Sequence, residues 1–233
     1  PLAERAYWCE QVAGAGKLPI CEAPPGQPSV QATAAFAACA AAGRPLRLVD
    51  RSDVGDVARE LDAAAARFGR IVFFALDVQL SREELAADEQ GVLLQGAVGY
   101  LGRLPSVHGP LESVWAESRS LLWGRLAEDV AVAYLRAVDG CEGLVSVSGL
   151  GERTRTSLRV HGRWGSAEYE DADAAGMAAA WRCAYADLVP AAAPRQAAWP
   201  LSAEQLEAGL FLANWIRRAA RARRPLHRKE ANA

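Results

Sequence analysis

The chain of 233 residues has few of the side chains that ordinarily carry metal or nucleophilic chemistry. Its three histidines, His108, His161 and His227, lie far apart. None has a partner at the helical spacing that presents two ligands on one face. Its five cysteines, Cys9, Cys21, Cys39, Cys141 and Cys183, are odd in number and contain no C-x-x-C pair. That pattern argues against a zinc site or a disulfide framework and for free buried thiols in a reducing compartment. No apolar run is long enough to span a bilayer, and Glu4, Arg5 and Glu10 interrupt the opening segment that a secretory leader would keep apolar. The expected location is the cytoplasm, with no membrane partner. Neither sign of charge is in excess: a formal net charge of -2 gives no general attraction for nucleic acid. Methionine occurs once, at Met177, and the first residue is Pro1. That start fits either initiator removal before proline or a chain cut from a longer reading frame.

What is present is the composition of a soluble globular protein, 51% hydrophobic and 23% charged, with length for one large domain or one domain and part of another. Residues 2 to 15 read as a helix and Leu18 to Cys21 as a short extended segment. Pro24, Pro25, Gly26 and Pro28 break the chain. Ser29 would cap a helix running to Ala42 and ended by Gly43, and Leu46 to Val49 is a short strand. A helix over Val54 to Phe68 and a buried strand over Ile71 to Leu76 continue the alternation of a parallel α/β layer. Ser81 and Glu84 have the spacing of a capping box opening a short helix.

From Leu111 onward the texture changes to strands. One begins at Val114; Val130 to Leu135 alternates and turns at Asp139-Gly140 into Leu144 to Ser148. Thr154 to His161 and Trp164 to Tyr169 pair across Gly162-Arg163, so the sheet is antiparallel or mixed. The last helix is announced by Ser202 and Gln205, with Leu212, Trp215, Ile216 and Ala219 on one face. The arginines after it, Arg217 to Arg228, read as a solvated helix terminus whose cations suit the dipole. Nucleic-acid contact is disfavoured, because no interleaved aromatics or binding motif accompany them.

Gly16-Lys17-Leu18-Pro19-Ile20-Cys21-Glu22-Ala23-Pro24 resembles the Gly-Lys-x-Val-x-x-Glu-Lys-Pro signature of the Gfo/Idh/MocA family of NAD(P)-dependent sugar and polyol oxidoreductases. Further segments follow in the family's order. Phe68-Gly69-Arg70-Ile71 is similar to its Leu-Gly-x-Ile, Glu128-Asp129-Val130-Ala131 to its Glu-Asp-x-Ala, and Arg136-x-x-Asp139-Gly140 to its Phe-x-Asp-Gly hairpin. Leu158-x-Val160-x-Gly162-x-x-Gly165 resembles its Ile-x-Gly-x-x-Gly turn, so the likeness covers most of the chain.

The resemblance implies an α/β fold: a remnant of a Rossmann-type nucleotide-binding layer over residues 1–50, then a mixed, largely antiparallel sheet with flanking helices over residues 51–233. It implies NAD or NADP as cofactor, or none in this chain, with Glu22 and Pro24 beside the cofactor and a cis Ala23-Pro24 peptide. It implies Arg51 and Tyr100 as substrate contacts, and dimerisation through the sheet, with a second copy or with an intact homologous subunit. From the residues themselves, Arg51 reads more simply as a surface ion pair, Glu22 as a structural holder of its turn and His108 as a loop histidine.

Three departures bear on activity. Ala23 stands where the motif has its lysine; Gly99 and Gly102 stand where its His-x-x-Asp helix has histidine and aspartate. Neither alanine nor glycine can move a proton. The family's opening G-x-G-x-x-G/A turn is missing from this sequence; Gly14-Ala15-Gly16 sits at a helix end. No catalytic residue is therefore assigned. The leading expectation is a non-catalytic relative acting as a binding or assembly subunit. The alternatives are the C-terminal part of a working oxidoreductase, and an unstable relic with exposed strand edges.

Overall fold

The computed structural model describes residues 2–26, 29–83, 91–122, 127–172, 180–181 and 201–231. Helix α1 (Leu2–Gly14) leads to strand β1 (Ile20–Glu22), α2 (Ser29–Ala41) and β2 (Arg47–Val49). β1 and β2 pair in parallel with Ile20 opposite Arg47 and Glu22 opposite Val49, so α2 is the crossover of a βαβ unit. Gly16 and Gly43, both at positive φ, end the two helices where the sequence puts their stops. The peptide after β1, Ala23-Pro24, is cis, as the resemblance implied.

A 3-10 turn (Arg51–Asp53) and α3 (Asp56–Phe68) then lead to β3 (Ile71–Ser81). This strand runs five residues past its expected end, because Leu76, Val78 and Leu80 keep alternating inward. Ser81 is its last residue, and residues 82–83 directly after it are helical, as a helix opened by Ser81 requires; Glu84, its expected capping partner, lies outside the described residues.

One turn of wide, π-type helix (Leu93–Ala97) continues into α4 (Val98–Arg103) and α5 (Pro105–His108). β4 (Leu111–Arg119), β5 (Val130–Ala137), β6 (Glu142–Gly151), β7 (Arg155–Gly162) and β8 (Gly165–Ala172) follow, then α6 (Ala203–Ala222), β9 (Leu226–His227) and α7 (Arg228–Ala231). β4 starts at Leu111 rather than Val114, since Leu111 also points into the core.

The large sheet has the order β8-β7-β3-β6-β5-β4-β9. Only β3 and β6 pair in parallel, which makes it mixed and mainly antiparallel. α3 packs on β7 and β8, and α6 on β4 and α4, so the helices cover one face. One apolar core runs from Ala6 and Cys39 through Leu61, Phe74 and Leu101 to Trp215.

α6 has the expected capping box: Ser202 Oγ accepts from Gln205 N–H, and Gln205 Oε1 accepts from Ser202 N–H. The helix opening at α3 is capped from far along the chain. Asp171 of β8 accepts from the N–H groups of Asp56 (2.8 Å) and Val57 (3.0 Å). A carboxylate there also meets the positive end of the helix dipole.

Candidate functional site

Two of the stretches that resemble the family's motifs, Ala23-Pro24 and the helix bearing Gly99, meet at the C-terminal ends of β1 and β2. Ala23 donates its N–H to Val49 O (2.9 Å), which sets it beside the start of the Asp50 to Asp53 turn. Across that turn lies α4 with Gly99, whose missing side chain would point at Asp50 and Ser52. The motif positions expected to share a cleft are thus neighbours in space, although they are separated by dozens of residues in sequence.

Arg5 and Trp181 occupy the polar atoms of this edge. Glu22 Oε2 accepts from Arg5 at 3.0 Å and Glu22 Oε1 from the Trp181 indole at 3.0 Å. Arg5 also donates to the carbonyls of Glu22 and Pro24. Glu22 and Pro24, the expected cofactor contacts, therefore have their acceptors engaged within the chain. Ala23 is buried and carries no ionisable group.

The expected substrate contacts lie inside the protein. Arg51 is 4% exposed, so it is not the surface ion pair that its type suggested. Tyr100 is 1% exposed, and burial raises its hydroxyl pKa while a hydrogen bond with Thr156 opposes that rise. A phenol held neutral in this way is a poor proton donor to anything outside the core. His108 is not a loop residue: it closes α5, stacks on Phe74 and is buried, which lowers its pKa.

The turn between β2 and α3 is a dense polar cluster that sequence reading passed over. Asp50 Oδ1 accepts from Ser52 N–H (2.8 Å), and Asp53 Oδ2 accepts from Asp50 N–H (2.8 Å), a reciprocal capping box. Asp53 Oδ1 accepts from Leu201 N–H (2.9 Å) and faces Arg103 at 3.6 Å. Arg103, 1% exposed, also pairs with Asp62. Burial, with the Asp50 charge alongside, pushes the Asp53 carboxyl up to about 7. The signal was present as Asp50-x-x-Asp53, a capping spacing. Nothing in the sequence announced its long-range partners, Leu201 and Arg103.

The same turn abuts the α4 glycine that the resemblance sets at the histidine position. A Cβ at Gly99 would lie 2.1 Å from Asp50 Oδ1 and 2.2 Å from Ser52 Oγ. A Cβ at Gly102 would lie 2.0 Å from the backbone oxygen of Gln205 on α6. From the α6 side, a Cβ at Gly209 would lie 2.2 Å from Val98 O. Gly102 and Gly209 let the α4 and α6 backbones touch, which leaves no room for a side chain at position 102, while at position 99 the Asp50 and Ser52 side chains occupy the space a larger residue would need.

The Glu128-Asp129 pair has a structural use. Asp129 accepts from Leu121 and Leu122 N–H, while Glu128 takes three hydrogen bonds from Arg217 and one from Leu93 N–H. Among the described residues no group of three or more histidine, cysteine, aspartate or glutamate side chains could hold a metal ion. No described helix is long and apolar enough to cross a membrane. Of a dinucleotide site, the described residues offer the Ala23-Pro24 turn, where the Ala23 N–H is bonded to Val49 O and the Pro24 carbonyl to Arg5.

No family model matches the chain, and no curated protein matches it. Solved structures do. The WlbA dehydrogenase from Bordetella pertussis, in complex with NADH and UDP-GlcNAcA, superposes with a TM-score of 0.70 at 22% identity, over 97% of this chain and 76% of its own. The scyllo-inositol dehydrogenase from Lactobacillus casei, with bound NAD(H) and scyllo-inositol, gives 0.74 at 12% identity, over 100% and 78%. An oxidoreductase from Agrobacterium radiobacter, in complex with NAD+, L-tartaric acid and magnesium, gives 0.70 at 13%, over 97% and 78%. At these identities the likeness is one of fold. The chain has the fold of the Gfo/Idh/MocA-type dehydrogenases.

Proposed function

We propose that this chain is a non-catalytic relative of these NAD-dependent dehydrogenases and acts as a binding or assembly subunit. The observation that carries the reading is the closed contact at Gly99 and Gly102. The relay side chains are absent, and the helix that would bear them is pressed against Asp50, Ser52 and Gln205. With Ala23 at the lysine position, none of the family's three acid–base side chains is present; the neighbouring carboxylates, Asp50 and Asp53, are buried and bonded to the N–H groups of Ser52, Asp50 and Leu201.

The outward face of the large sheet supports the assembly half of the reading. One row across it sets Trp115 opposite Tyr134, Tyr134 opposite Leu144, and Leu144 opposite Ala75. Trp115 and Leu144 are 38% and 40% exposed. The next row, Glu117, Val132, Ser146 and Asp77, is mostly polar, so the apolar stripe has a polar rim. A second copy of this chain, or an intact homologous subunit, would cover that stripe.

Two measurements test the proposal. Absorbance at the reduced-nicotinamide band, with NAD+ or NADP+ and an inositol or UDP-sugar acid as donor, should show no turnover above the protein-free rate. Light scattering should give a dimer mass that falls to monomer with Leu144→Lys, or a monomer that gains mass only with an intact homologue. Measurable turnover would sink the non-catalytic reading. A monomer indifferent both to Leu144→Lys and to the homologue would sink the assembly reading.

A further inference from the structure

The three cysteines of the opening βαβ region, unrelated in sequence, come together in the fold. Cys9 lies on α1, Cys21 on β1 and Cys39 on α2, and all three are free and buried. Their environments differ. Cys39 donates to the carbonyl of Cys9 at 3.6 Å and is closed off at 0% exposure. Cys9 and Cys21 sit on the neighbouring elements α1 and β1, and each thiol shifts the other's pKa. Both also line a cavity of about 220 Å³ whose wall includes Glu4, Arg5, Trp8 and Pro19. Trp8 on its rim is 57% exposed, so the cavity communicates with solvent.

We propose that Cys9 and Cys21 form a dithiol site that small hydroperoxides oxidise to an intramolecular disulfide. The two cysteines line the same small cavity from different secondary-structure elements, and its opening gives a small oxidant access. Cys141, buried in a different part of the fold, has neither a thiol partner nor that cavity among the described residues.

The roles within the pair follow from the charges around it. The neighbouring Cys9 thiol, together with the Arg5 guanidinium, lowers the Cys21 pKa; the Cys21 thiol and burial raise that of Cys9. Cys21 is therefore the attacking thiolate. Its sulfur takes the distal oxygen of the hydroperoxide: an S–O bond forms, the O–O bond breaks, and the departing alkoxide takes a proton to leave as alcohol. Cys9 sulfur then attacks the Cys21 sulfenic acid. The S–S bond forms, the S–O bond breaks, and water leaves with the Cys9 proton. Two electrons pass from the thiol pair to the peroxide, which ends as one alcohol and one water.

A disulfide of about 2 Å would draw α1 toward β1. The resulting link would sit one residue from Glu22, whose carboxylate holds Arg5 and Trp181.

The test uses the full chain with tert-butyl hydroperoxide, alkylation of remaining thiols and peptide mapping. Two of the five thiols should escape alkylation, and a single disulfide should join the peptides bearing Cys9 and Cys21. Cys9→Ser should leave Cys21 as a sulfenic acid that a cyclic-dione probe captures, Cys21→Ser should abolish the reaction, and Cys39→Ser should leave it unchanged. Phenylarsine oxide, which condenses with paired thiols, should bind the untreated chain with one-to-one stoichiometry and block later oxidation, a readout that needs no variant. Independent alkylation of both cysteines after peroxide, or preferential oxidation of Cys39 or Cys141, would overturn the proposal.

Discussion

Replacing Gly102 with alanine adds one methyl group to α4, and the structure fixes what it meets. The new Cβ would stand 2.0 Å from Gln205 O and 2.7 Å from Gln205 C, both backbone atoms of α6. To reach even 3.0 Å, the tightest tolerable separation, the two helices would have to part by about 1 Å. Parting there would also open the close Gly209–Val98 contact on the same interface. Overpacking of this kind costs about 3 kcal/mol at the upper end of its range. The higher helix propensity of alanine returns about 1 kcal/mol. The net loss is about 2 kcal/mol, which in a chain of this size lowers Tm by about 4–8 °C. Thermal and urea unfolding followed by circular dichroism measure it. Gly14→Ala, where nothing lies within 4 Å, is the control and should be neutral or slightly stabilising. If Gly102→Ala proves as stable as the parent chain, α4 and α6 do not touch there. The position could then hold the aspartate of the resembling family, and the non-catalytic reading would lose its main support.

Other outcomes follow from the same contacts. Asp171→Ala removes the cap of α3 and should cost about 1–2 kcal/mol in urea unfolding, with Asp171→Asn costing less. The folded-state pKa of Asp53 is raised from 3.8 to about 7, so the folded state holds a proton that the unfolded state has released across that window. This group's contribution to stability is complete below the lower value and lost as pH rises through the upper one, and Asp53→Asn should flatten that descent in a pH series of unfolding curves. Arg217→Ala leaves the Glu128 carboxylate, largely buried, without its two-point partner. It should cost about 2 kcal/mol, below the roughly 3–5 of a fully buried pair, and the double variant with Glu128→Gln should recover part of it.

The order of elements was legible because it rests on local rules. Ser202 and Gln205 capped α6 as their spacing required, Gly43 stopped α2, and Asp139-Gly140 turned β5 into β6. Periodicity also gave the apolar faces, since Leu76, Val78 and Leu80 alternate inward whatever covers them. The parallel pairing of β3 with β6, between two antiparallel neighbours, was not legible, because register between distant strands is fixed by the packed sheet rather than by either strand.

For the site, the sequence alone determined what chemistry is missing: Ala23, Gly99 and Gly102 have no ionisable group in any fold. Only the tertiary structure decided why nothing could simply be put back. Asp50 and Ser52 come from one turn, Gln205 from a helix a hundred residues later, and their approach to α4 occupies the volume the lost side chains would need. The packed fold likewise put Arg51 and Tyr100 in the interior and set Cys9 and Cys21 on the wall of one cavity. A side chain's identity is a property of its codon, but its solvent access and neighbours depend on which distant backbone packs over it.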